Sequence, residues 1–174
     1  QVAALEAIPP SPPQNLRFNY DFYEDNLDIF WEEPTNPQRD VVRYQIFKRK
    51  SVKESFSLLN ELDFDRSTSR VVPLETAPEE KITSVMGPRK LFKDTSFKKT
   101  EKFIYSLAAI DARGLTSNYS EQVEVHFDRF KNKIITKRIS PPGAPKPYPN
   151  LYLKTDLFRD TMTSSGAKRM RVFF

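Results

Sequence analysis

The groups with chemical capacity in this chain are a few carboxylate pairs, one histidine and two clusters of cations. Asp21 with Glu24 and Asp25, Glu32 with Glu33, and Asp63 with Asp65 supply the carboxylates. Hydrolysis by two carboxyls needs them held at a set separation across a cleft. Here they flank turns and strand ends, where solvated acids are ordinary. Asp63-x-Asp65 lacks both a third spaced ligand and a glycine, so the calcium-loop pattern fails. His126 stands between Val125 and Phe127 in an alternating run, which sends its ring to the outward face of a strand. A single histidine gives neither a metal cluster nor a Ser-His-Asp triad much to draw on. The absence of cysteine removes thiol catalysis, disulfide stapling and cysteine–zinc sites together. The expectation is therefore a chain with no catalytic, metal or cofactor site. Asn118-Tyr119-Ser120 matches a glycosylation sequon, which has meaning only in a eukaryotic secretory setting.

The cations fall into two kinds. Lys48-Arg49-Lys50 with Lys53 fits either a contact to an anionic partner or a charge-protected strand end. Lys168, Arg169 and Arg171 lie beside Phe173 and Phe174, a combination that binds nucleic acid by charge and stacking. Those aromatics alternate as strand residues do, so nucleic acid is the disfavoured partner. Charge is also uneven along the chain: 17 Lys+Arg face 20 Asp+Glu before Asp128, and 11 face 3 from Asp128 onward. The basic character belongs to the tail, which reads as a solvated segment or one docked on a protein neighbour.

Extended segments must carry these groups. Leu16, Phe18 and Tyr20 alternate, as do Leu27, Ile29 and Trp31 with Asp28 and Glu32 facing out. Val42, Tyr44 and Ile46 share one face of a third strand, and Ser55–Leu59 offers a short fourth. Phe103, Tyr105, Leu107 and Ala109 share a face before the turn Asp111-Ala112-Arg113-Gly114, and Val123, Val125 and Phe127 resume the alternation. Regular spacing is lost over 63–88, a stretch long enough to be functional or disordered. The run after Phe127, DRFKNKIITKRI, reads as an outward extension of the last strand. Prolines, 14 against 4 glycines, gather near 9–13 and 141–149 as stiff linkers. No run reaches the roughly 18–20 apolar residues of a membrane span. The opening QVAALEAI lacks a signal-peptide pattern, and the whole reads as a piece of something longer.

Residues 12–127 resemble a fibronectin type III domain. The resemblance rests on Pro12-Pro13 before Asn15-Leu16, Trp31 in LDIFWEEP, Tyr44 with Ile46, Asp94-Thr95-Ser96-Phe97, the strand Phe103–Asp111, Gly114 and Ser117, in order. It implies an all-β, immunoglobulin-like sandwich of seven strands in two sheets, without catalysis. One departure is Phe103, which stands where the family places the tyrosine of its corner, so the hydroxyl bond back to the chain is absent.

The organisation expected is a leading linker over 1–11, a sandwich over 12–127, a basic strand extension and proline linker over 128–150, and a further domain or docked arm over 151–174. The function expected is a non-enzymatic structural module contacting other protein subunits of a large assembly, self-association being one form of it. Within that class the reading is a virion structural protein of a tailed phage, located in the virion or outside the cell. The alternatives are an adhesion or carbohydrate-binding accessory domain of a secreted bacterial protein, and a linker domain inside a larger enzyme. Aromatics dominate interface energetics, so Phe92, Phe97, Tyr119, Tyr148 and Tyr152 are the expected contacts, Phe97 being equally a core candidate, followed by Lys168, Arg169 and Arg171.

Overall fold

The computed structural model describes residues 8–34, 40–71, 73 and 76–147. Among these residues nine strands follow one another: β1 (Gln14–Asp21), β2 (Asn26–Glu32), β3 (Val41–Arg49), β4 (Ser57–Asp63), β5 (Ile82–Ser84), β6 (Leu91–Asp94), β7 (Phe103–Asp111), β8 (Gln122–Asp128) and β9 (Lys133–Ser140). They form a three-stranded sheet in the order β1-β2-β6 and a six-stranded sheet in the order β5-β4-β3-β7-β8-β9. All pairings are antiparallel except β4 with β5. This is a fibronectin type III-like sandwich. Seven strands make its body, while β5 and β9 extend the larger sheet at its two edges.

The interior is built by the period-2 pattern. Trp31, Tyr44, Ile46, Tyr105 and Leu107 are all buried in one cluster with Leu27, Ile29, Val123, Val125 and Phe127. The Trp31 and Tyr44 rings meet edge to face with centroids 5.5 Å apart, a geometry that favours the positive ring edge against the negative face. A bulge between Val41 and Arg43 changes the inward set of β3: Val41, rather than Val42, packs on the core.

β7 is buried along its whole length, on both faces. Its outer partner in the ladder is only partly backbone, because β8 pairs with it directly only from Phe103 to Tyr105. Beyond that point two serines take over. Ser120 Oγ accepts the Leu107 N–H at 2.8 Å, and Ser117 Oγ accepts the Ala109 N–H at 2.9 Å. Both serines are buried. Ser120→Ala should therefore orphan the Leu107 N–H and cost about 1–3 kcal/mol in denaturant unfolding, whereas Asn118→Ala, on an exposed side chain, should cost little.

Two sequence expectations are corrected here. The chain does not run straight on after Phe127. Asp128 Oδ1 accepts the N–H of Phe130 at 2.9 Å and of Lys131 at 3.2 Å, and Asn132 takes a left-handed φ of 51°. Those features reverse the chain, so the run becomes β9 and pairs back on β8. The stretch 63–88 is not without structure either: a 3-10 turn at Glu79–Lys81 leads into β5, laid parallel to β4. Residues 1–7 and 148–174, with the proposed arm, lie outside the described residues.

Candidate interaction surface

The outward row of β3 comprises Arg43, Gln45, Phe47 and Arg49, of which the first three are buried and Arg49 is half-buried. Asp63 and Asp65 turn towards Arg43, at 3.6 Å from Nε and 3.8 Å from Nη2 respectively. Both acids are buried, which corrects the expectation of solvated carboxylates at this pair. Hydrogen bonds from Ser67 hold the Asp65 carboxyl below its usual range, against desolvation. The pair thus holds a buried arginine in place. Among the described residues, no three or more His, Cys, Asp or Glu side chains gather as metal ligands would.

Next along the row, Gln45 Nε2 donates to Glu61 Oε1 at 2.9 Å. Burial pushes the Glu61 carboxyl up, while Gln45, Arg43 and Lys146 pull it down. Phe47 then packs with Ala108 and Tyr119, and Phe56, Leu58 and Ala144 close over them. The Phe47 and Tyr119 rings are perpendicular at 5.3 Å, and the Arg49 guanidinium lies 4.2 Å from the Phe56 ring centre.

The start of the proline segment lies on this row. Tyr119 N donates to Ala144 O at 2.9 Å, and Gly143 N donates to Tyr119 O at 2.9 Å. This reciprocal pair resembles one rung of a sheet. Gly143 has φ 109°, which side-chain-bearing residues rarely adopt. Lys146 Nζ donates to Gln45 Oε1 at 3.0 Å and sits 5.0 Å from the Phe47 ring centre. Gly143, Ala144 and Lys146 therefore seat the start of the expected linker segment on the sandwich.

A second polar arrangement lies inside. Lys48 continues the inward row of Tyr44 and Ile46, and Asp94 follows Phe92 at the matching two-residue step on β6. Asp94 Oδ2 accepts from Lys48 Nζ at 2.7 Å and from the Tyr105 hydroxyl at 2.5 Å. Its Oδ1 accepts from Ser96 N at 2.9 Å and Ser96 Oγ at 2.6 Å. Desolvation works to raise the Asp94 carboxyl, but these bonds outweigh it and hold the group below the usual carboxylate range. Burial and the Asp94 charge push the Tyr105 hydroxyl far up. The ammonium of Lys48 stands 4.0 Å from the centre of the Phe103 ring. A hydroxyl bond is thus made two residues beyond Phe103, by Tyr105, and Phe103 offers its face to a cation instead.

Of the expected contact residues, Phe97 is buried in the main core and Tyr119 in the outer aromatic niche. Phe92 is half-buried against the core. Tyr148, Tyr152, Lys168, Arg169 and Arg171 lie outside the described residues. The sequence reading gave Lys48 to a cation cluster at a strand end and Asp94 only to the family pattern, where the structure buries and pairs the two, and it missed Phe47. For the first two the signal was present, since a charged residue two steps beyond an inward apolar residue faces the same interior.

No family model and no curated protein matches the chain. Among solved structures, it is similar to an Fn3-like protein from Clostridium thermocellum at 14% identity and a TM-score of 0.44, over 66% of this chain and 90% of that one. It is also similar to the twitchin kinase region of C. elegans at 13% identity and a TM-score of 0.45, over 74% of this chain and 19% of that one. At this distance, the strand order and the shared core carry the assignment of the fold.

Proposed function

We propose that this chain is a non-enzymatic spacer and contact module that fixes the angle at which its proline segment departs from the sandwich. The supporting observation is the reciprocal bonding of Tyr119 with Gly143 and Ala144, locked further along by Lys146 on Gln45. A free linker makes the direction of any attached unit random within its reach. A docked one sets both the departure point and the heading. In this reading the sandwich is a rigid bead, and the outer face of β3 and β7 is a seat for the segment that leaves it.

The chain has no cysteine, so two can be introduced without background. Spin labels on Arg17→Cys and Pro147→Cys, both exposed positions, should give a narrow distance distribution. Adding Ala144→Glu, which pushes a charge into the niche of Phe47 and Tyr119, should broaden it without unfolding the sandwich. A distribution already broad in the parent would contradict the reading.

The finer form of the proposal is a structural subunit of a tailed-phage virion, contacting neighbouring subunits there. Support for that form comes from the sequence: a proline-joined module with a basic tail. Mass spectrometry of purified particles should find the chain in stoichiometric amounts, and its absence would remove the assignment.

A further inference from the structure

Each of the two sheets has two edges, and an unguarded edge invites another strand. At their edges β5 has three residues and β6 four, too short to template a partner. β1 is kinked by a register shift between Gln14 and Arg17, with Asn15 at a left-handed φ of 51°. β9 differs from all three. It is eight residues long, and its register with β8 is unbroken from Lys133 to Arg138. Among the described residues, no backbone bond leaves its outer edge.

The side chains of β9 define what that edge accepts. Val123, Val125 and Phe127 of β8 face the core, and their register partners Arg138, Thr136 and Ile134 share that side. Lys133, Ile135 and Lys137 therefore form the outward row, opposite Asp128, His126 and Glu124. Both lysines are exposed. On its paired side, then, this cation–apolar–cation row already faces acids at its two ends. Opposite charges on neighbouring strands attract and like charges repel. Two β9 edges brought together would gather their cations with no acid on either strand. The complementary occupant is a strand with acid, apolar and acid residues at two-residue spacing. Asp156-x-Phe158-x-Asp160 has that pattern, and these two aspartates are the only acids in the sequence after Asp128.

We infer that the open edge of β9 takes up segment 156–160 of a second copy of this chain as an added strand. Asp156 and Asp160 then stand beside the two lysines, and Phe158 beside Ile135. Both rows are symmetric about their centre, so the match holds for either strand direction. The seated proline segment selects a second copy over the same chain. At Lys146 the chain lies on β3, with β7 and β8 between it and β9. That choice rests on the seat, whereas the match of the two rows does not. The contact joins two different surfaces, so it propagates from copy to copy into a ring or a filament.

The test uses the whole chain, which has no cysteine of its own. Chains carrying only Ile135→Cys, mixed under mild oxidation with chains carrying only Phe158→Cys, should give a mixed disulfide dimer well above the dimers of either chain alone. Lys133→Glu/Lys137→Glu in the first chain, at exposed positions, should cut that yield on the order of tenfold. Asp156→Lys/Asp160→Lys in the second chain should then restore it. Three results overturn the inference. The first is no mixed dimer above background, and the second a mixed dimer whose yield ignores the reversed charges or is not restored. The third is a chain with both cysteines that closes on itself in place of linking to a neighbour. The spin-label distances above report separately on the seat.

Discussion

Asp94→Ala should destabilise the domain by about 3–5 kcal/mol in denaturant unfolding, because it leaves the Lys48 ammonium and the Tyr105 hydroxyl buried without their acceptor. Cutting the charge pair from the other side, Lys48→Met, should cost a comparable amount by stranding the carboxylate. The triple change Lys48→Met/Asp94→Leu/Tyr105→Phe should recover most of the loss, since an apolar set of similar volume needs no compensation. If the triple variant were as unstable as either single one, the cluster would be contributing through shape alone.

The same site sets a pH signature. Asp94 has a folded-state affinity for protons below that of the unfolded chain. Its contribution is therefore present above the ordinary carboxylate range and is lost as pH falls through the depressed value. Glu61 carries the opposite sign, because burial raises its carboxyl in the folded state and so favours folding as pH falls. Acid unfolding of Asp94→Asn should be shallower than that of the parent, with the Glu61 contribution left intact.

Trp31→Ala should cost about 3–5 kcal/mol by opening a void beneath Tyr44 that the two sheets cannot close. Trp31→Phe should be milder, about 1–2 kcal/mol, because the indole N–H is buried with no hydrogen-bond partner and its removal offsets part of the lost packing. Chemical denaturation followed by near-ultraviolet circular dichroism separates the two. Equal losses would mean that the ring retained in Trp31→Phe restores none of the packing beneath Tyr44.

Alternation at two-residue spacing was enough to place Trp31, Tyr44, Ile46, Tyr105 and Leu107 in a shared interior, because a half-buried strand writes its inward face directly into the sequence. Lys48 and Asp94 sit on those same inward rows. Their pairing spans 46 residues and exists only once two sheets face each other, so local spacing could not announce it. The β8–β9 reversal was hidden by a turn without glycine, in which Asp128 and Asn132 supply the geometry. Tyr119, expected to face partners, lies inside, as does Phe97, for which contact and core were equally expected, because aromatic side chains serve cores and interfaces alike. The docked proline segment was the hardest to foresee: its seat is Phe47 on the outward row, a position the alternation assigns to solvent.

The claim that residues 141–147 belong to the folded body rather than to a flexible tether is tested most directly at one amide. The Gly143 N–H donates to Tyr119 O in the seated segment. Amide hydrogen exchange by nuclear magnetic resonance should find it protected together with the Tyr119 N–H, at least about tenfold beyond an open chain, and released in Ala144→Glu. Exchange of Gly143 at the rate of an unstructured peptide, with the β7 and β8 amides still protected, would contradict the account.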